Sequence, residues 1–157
     1  MENRLNKWKH LFVDGEFAAR ERILSGLTLE QVTRRLSPQS HTIYEELWHT
    51  TRWQNIVVNR DEEDEAWQRG EVYPTSAPAS EREWSALVEE FLAGLDRALE
   101  WADSPEKLAA QVDPEYTMAD ALRSLAVHNA HHLGKILALR QALGAWSPGE
   151  QKETTTV

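Results

Sequence analysis

Along most of this chain the apolar residues recur at spacings of three and four, and the alternation expected of strands is nearly missing. The clearest stripe lies in "SEREWSALVEEFLAGLDRALEWA", where Trp84, Leu87, Val88, Phe91, Leu95 and Leu99 share one helical face. Ser80 with Glu83 caps the start of that helix. Thr42 with Glu45 opens an earlier helix, which carries Ile43, Leu47, Ile56 and Val57 on to Arg60. Thr117 with Asp120 opens the last one, whose stripe of Leu122, Leu125, His132, Ile136, Leu139 and Leu143 runs to a stop at Gly144. Nearer the N-terminus, residues 2–24 read as a helix that Gly15 weakens in the middle, and "TLEQ" from Thr28 can cap a short piece before Val32.

Two stretches interrupt this pattern. Residues 61–79 are acidic and then turn-rich, with Gly70, Pro74 and Pro78, and they read as a crossover because neither half alone offers a complete core. "DSPEKLAAQVDPEY" reads as a connector. Four main helices with one long crossover predict an all-α fold: an antiparallel four-helix bundle in a single domain over residues 1–148, followed by a flexible tail, 149–157.

Composition narrows the function. The chain has 157 residues and a net charge of −9, which repels phosphate backbones and argues against a nucleic-acid partner. The acidic run "NRDEEDEAW" reads as a solvated loop or helix end. No apolar run approaches a membrane span, and "MENRLNKWKH" lacks the apolar core of a signal peptide, so no membrane partner is expected. Cysteine is absent, which makes a cytoplasmic location the default and denies the chain a thiolate of its own.

The candidate chemistry lies in the histidines. In "VHNAHHLGK", His128 and His132 are four residues apart, about 40° around the helix axis, and can reach one ion together. His131 falls on another face with Val127, Gly134 and Ala138 and reads as a packing or surface residue. Two imidazoles make a weak site, and His49 in "EELWHTTRWQ" is the best third; His10 and His41 stand at poorer positions. The plain alternative for each is a hydrogen-bonded core histidine. Glu45 or Glu46 could orient His49 or act as a base, although surface or capping roles suit both. Trp48, Trp53, Trp84 and Trp101 suit core packing, with Trp53 also placed to line a pocket one turn from His49. A di-iron carboxylate bundle would need Glu-x-x-His on two helices, and residues 119–126 offer no Glu.

"HTIYEELWHTTRWQ" and "LAVHNAHHLGKILALRQALGAW" resemble the two signature stretches of the DinB/YfiT-like superfamily, and the likeness extends over about residues 15–148. The resemblance implies a bacterial four-helix bundle, often dimeric, with a metal held by His49, His128 and His132. Position 135, often Gln in that family, is Lys here. Some members resemble mycothiol-dependent maleylpyruvate isomerases and bacillithiol S-transferases. A divalent ion on three imidazoles, zinc or nickel foremost and iron or manganese also fitting, lowers the pKa of a bound water or thiol. The expectations are therefore a metal-dependent transferase acting on a small-molecule substrate with a low-molecular-weight thiol, a metal-dependent hydrolase, or a non-catalytic metal-binding stress-response protein.

Overall fold

The computed structural model describes residues 2–61 and 64–147; the expected tail, 149–157, lies outside them. The N-terminal helix does break at the glycine. Helix α1 (Glu2–Lys9) passes into a π-helical turn, His10–Asp14, closed by the Gly15 N–H donating to the His10 carbonyl at 3.0 Å. A Cβ on Gly15 would stand 2.3 Å from that same carbonyl oxygen, so only glycine closes the turn. Arg20 is buried beneath the break and donates to the carbonyls of Leu11 and Gly15, both at 2.9 Å. Loss of solvent lowers its pKa to about 10, against the opposing pull of Asp14.

Short helices α2 (Arg20–Leu24) and α3 (Leu29–Thr33) follow, the latter capped by Thr28 and Gln31 as the sequence predicts. Thr42 and Glu45 form a complete capping box on α4 (Ile43–Asn59), and Thr117 and Asp120 do so on α8 (Met118–Ala142). The box on α6 (Glu81–Ala102) is half formed: Ser80 accepts from the Glu83 N–H, but the Glu83 carboxylate turns to the Ala79 N–H instead. The crossover contains one helical turn, α5 (Glu65–Gln68), capped by Asp64, which also pairs with Arg52 at 2.7 Å.

The connector after α6 is more ordered than expected. It holds α7 (Pro105–Leu108) and a two-stranded antiparallel hairpin, β1 (Gln111–Asp113) with β2 (Tyr116–Thr117). Strands of three and two residues are too short for alternation to register in sequence.

The long crossover returns the chain to its starting end, so α4 and α6 run side by side in the same direction. Gln54 meets Phe91, and further along Val58 meets Trp101. Helix α8 runs against α4, with Glu46 beside His132 and Gln54 beside Asn129. One core joins the helices, with Phe91, Ile43, Leu47, Leu122, Leu125, Leu133 and Ile136 all at 0% exposure. Each large side chain so buried contributes roughly 1.5–3 kcal/mol of transfer free energy.

A polar link crosses this core. The fully buried Gln54 donates to the Phe91 carbonyl on α6 at 2.8 Å and accepts from the Asn129 amide on α8 at 2.9 Å. Gly94 makes room for it, since a Cβ there would lie 2.1 Å from the Gln54 amide nitrogen. Near the C-terminal end of α8, buried Arg140 donates to the Ile23 carbonyl at 2.7 Å, the Ser25 carbonyl at 2.8 Å and the Ala145 carbonyl at 2.8 Å, tying α2 to the last turn. Among the described residues no helix is long and apolar enough to cross a membrane.

Candidate metal centre

The inward faces of α4 and α8 bring His49, His128 and His132 together. One ring nitrogen from each lies within 4.8 Å of the other two, and the three ring centroids are 4.5–5.1 Å apart. His49 and His132 are buried at 9% and 5% exposure, and His128 is half-buried. The closest nitrogens are the Nε2 atoms of His49 and His128, 3.1 Å apart. Nitrogens that share a zinc at about 2.0–2.1 Å must themselves be spaced at roughly 3–3.5 Å.

Their partners decide which nitrogen carries the proton. His49 Nδ1 faces the Val72 carbonyl at 2.8 Å, an acceptor only, so Nδ1 holds the hydrogen and Nε2 keeps its lone pair. His132 Nδ1 faces the Glu46 carboxylate at 2.5 Å, which fixes the same tautomer. His128 differs, because its buried Nδ1 has no partner. Its ring is free to carry the proton on either nitrogen: on Nε2 it donates to His49, and on Nδ1 it leaves three lone pairs converging.

Burial favours the neutral form of His49 and His128. It lowers the pKa of His49, and together with the neighbouring His132 and His49 it pushes His128 down to about 4. Neutral imidazoles with directed lone pairs are what a divalent ion requires, so the three residues fit one and could hold it.

Glu46 is the main departure from the sequence reading. It is 3% exposed rather than a surface residue, and it supports His132 rather than His49. Its other carboxylate oxygen takes His41 Nδ1 at 3.1 Å and Lys135 Nζ at 3.3 Å. Burial alone would raise its pKa, but the His132 hydrogen bond and the Lys135 charge hold it down to about 2. Glu45 keeps the capping role, bonded to the Thr42 N–H at 2.8 Å and paired with Arg35. The support for His49 comes from the crossover, through the Val72 carbonyl and through Tyr73, whose ring stacks between His49 at 4.7 Å and His41 at 3.7 Å. Trp67 from α5 closes over both His49 and Trp53, each at 5.3 Å.

The remaining histidines do not converge with the triad. His131 is exposed and sets its ring edge-on to His132 at 4.9 Å, His10 bonds Glu16 in the N-terminal segment at 2.7 Å, and His41 reaches the site through Glu46 and Tyr73. A signal for Glu46 was available, since Ile43, Glu46, Thr50, Gln54 and Val57 follow the spacing of an inward stripe. No such signal marks Val72, whose contribution is a backbone carbonyl.

No curated protein and no solved structure shows a significant match to this chain. A family model does match, over residues 16–136, a span that contains all three converging histidines. It describes the DinB superfamily, and the chain belongs to that superfamily.

Proposed function

We propose that this protein holds one divalent ion between His49, His128 and His132 and transfers a small-molecule thiol to an electrophile. The observation that carries the first half is the pair of fixed tautomers, which leave the Nε2 lone pairs of His49 and His132 available at the point where the three rings meet. The second half draws on the resemblance to thiol-cofactor enzymes of the superfamily and on the absence of cysteine, which obliges any thiol to arrive from outside.

When bound, such an ion supplies Lewis acidity, which lowers the pKa of a thiol or water beside it. The chain's own residues do the positioning. Glu46 holds the His132 ring and balances part of the site's charge, Val72 holds the His49 ring, and Trp67 and Tyr73 limit the water that reaches it. In the transfer a carbon–sulfur bond forms, the leaving group departs with its electron pair, and the thiol proton passes to solvent. The same reading takes the protein as a cytoplasmic homodimer, which sedimentation equilibrium would check.

The test is metal analysis of protein purified without nickel resin, followed by turnover of an electrophile. We expect about one zinc or nickel ion per chain, lost in the His128→Ala/His132→Ala variant. Metal retained by that variant overturns the ligand set. Turnover that requires bacillithiol, mycothiol or glutathione supports transfer. Turnover in buffer alone replaces it with hydrolysis, and an inert but metal-loaded protein replaces it with a binding role.

A further inference from the structure

Beside the candidate metal centre, α4, α8 and the β1–β2 hairpin line an open cavity of about 380 Å³. Its position follows from the helix faces. On α8, Ser124 and Ala121 stand one and two turns before His128, roughly 6 and 10 Å along the axis. On α4, Trp53 and Ile56 continue the face that carries His49. Trp53 is the shared wall. Its ring lines the cavity, lies 6.2 Å from the His128 ring and is braced by stacking on Trp67. The hairpin supplies the outer wall through Val112 and Tyr116, and Tyr116 is 47% exposed, large and apolar for so open a place.

The lining specifies a class of occupant. Two aromatic rings and aliphatic groups dominate, which suits a flat apolar body. The charged side chains that reach the cavity, Arg60 and Asp113, have opposite signs and so favour no net charge. Ser124 provides the single polar handle on α8: its hydroxyl makes no hydrogen bond among the described residues. The volume lies at the lower end of the roughly 300–1,000 Å³ of ligand pockets, enough for one or two fused rings and little more.

We infer that this cavity seats a neutral, ring-bearing small molecule and, resting on the function proposed above, that this molecule is the body of the electrophile, with its reacting carbon toward His128. The choice of substrate then lies with Trp53, Tyr116, Ala121 and Ser124, not with the histidines.

The probe is 2-naphthol, titrated calorimetrically into the full-length protein both metal-free and metal-loaded. Ala121→Trp fills the cavity from one side. Ser124→Leu, at an exposed helix position that tolerates the change, fills it more gently; circular dichroism and metal content check that both variants are intact. We expect the wild type to bind the probe and both variants to lose at least tenfold in affinity with metal content unchanged. Wild-type protein that ignores the probe, or variants that bind it undiminished, overturns the inference. Rates with 1-chloro-2,4-dinitrobenzene should fall in both variants while those with iodoacetamide, too small to need the cavity, hold. If neither electrophile reacts but naphthol binding follows the expected pattern, the cavity stands as a ring-binding site and the proposed reaction falls.

Discussion

Replacing Glu46 separates two things this residue does. Its carboxylate has one oxygen on His132 Nδ1 and the other on His41 and Lys135. In Glu46→Gln a single amide oxygen must choose. If it accepts from His132, its NH2 faces the Lys135 ammonium, whose side chain is 43% exposed and can swing into solvent at small cost. The tautomer of His132 therefore survives and only the charge is lost. Glu46→Ala is harsher. It leaves the Nδ1–H of a ring with 6% side-chain exposure without an acceptor, a penalty of about 1–3 kcal/mol, and it frees the ring to turn. Supporting groups of this kind contribute about 10–100-fold to metal affinity, or roughly 1.4–2.7 kcal/mol. We therefore expect Glu46→Gln near the tenfold end and Glu46→Ala near the hundredfold end, measured by competition with a chromophoric chelator for zinc. His10→Ala, at an exposed position bonded to Glu16 in the N-terminal segment, is the control and should leave the affinity unchanged. If both Glu46 variants bind zinc within threefold of wild type, the carboxylate does not orient the site and the tautomer argument fails.

Three further outcomes follow from the packing and the charges. Gly94→Ala drives a methyl into a Gln54 side chain that is pinned at both ends, and should cost about 1–3 kcal/mol in urea unfolding. Arg140→Met strands buried carbonyls at the ends of α2 and α8 and should cost on the order of 1–3 kcal/mol by the same measurement; an unchanged midpoint would show that water replaces the guanidinium freely. Burial would raise the pKa of Glu45, yet the Arg35 pair and the Thr42 N–H outweigh it and leave the pKa below the ordinary 4.5. Its stabilising effect is therefore complete above that ordinary value and disappears as pH falls through the lower folded one. The stability gap between wild type and Glu45→Gln should be widest well above the ordinary carboxylate value and narrow as the pH falls below it, and a gap that stays constant would refute the assignment.

The long helices were legible because each bears a cap and a stripe: Thr42 with Glu45, and Thr117 with Asp120, mark starts that the backbone adopts. Gly15 announced the break in the first helix, although not that a π turn would take up the slack. The histidine spacing on α8 could be read directly, since i and i+4 share a face whatever the tertiary structure. What could not be read was long-range or carried by the backbone. The Val72 carbonyl reaches His49 across 23 positions, and Glu46 reaches His132 across 86. The sequence left Glu46 suited to a surface or capping role, and its spacing from Ile43 could at most have hinted at an inward side chain, not toward what. The hairpin was missed for the opposite reason, being too local and too short to leave a pattern.

The Gln54 link has a consequence for the alignment of the bundle. Greasy helix faces tolerate sliding, because leucine against leucine costs little to shift. A slip of α8 along α4 by one turn would move it about 5.4 Å and part Asn129 from Gln54 with nothing apolar to compensate. The same slip would carry His128 and His132 past His49 by more than the 4.8 Å that now contains their nitrogens. An amide pair in the middle of the bundle thus works as a vernier, setting to within one residue the registration on which the rings depend.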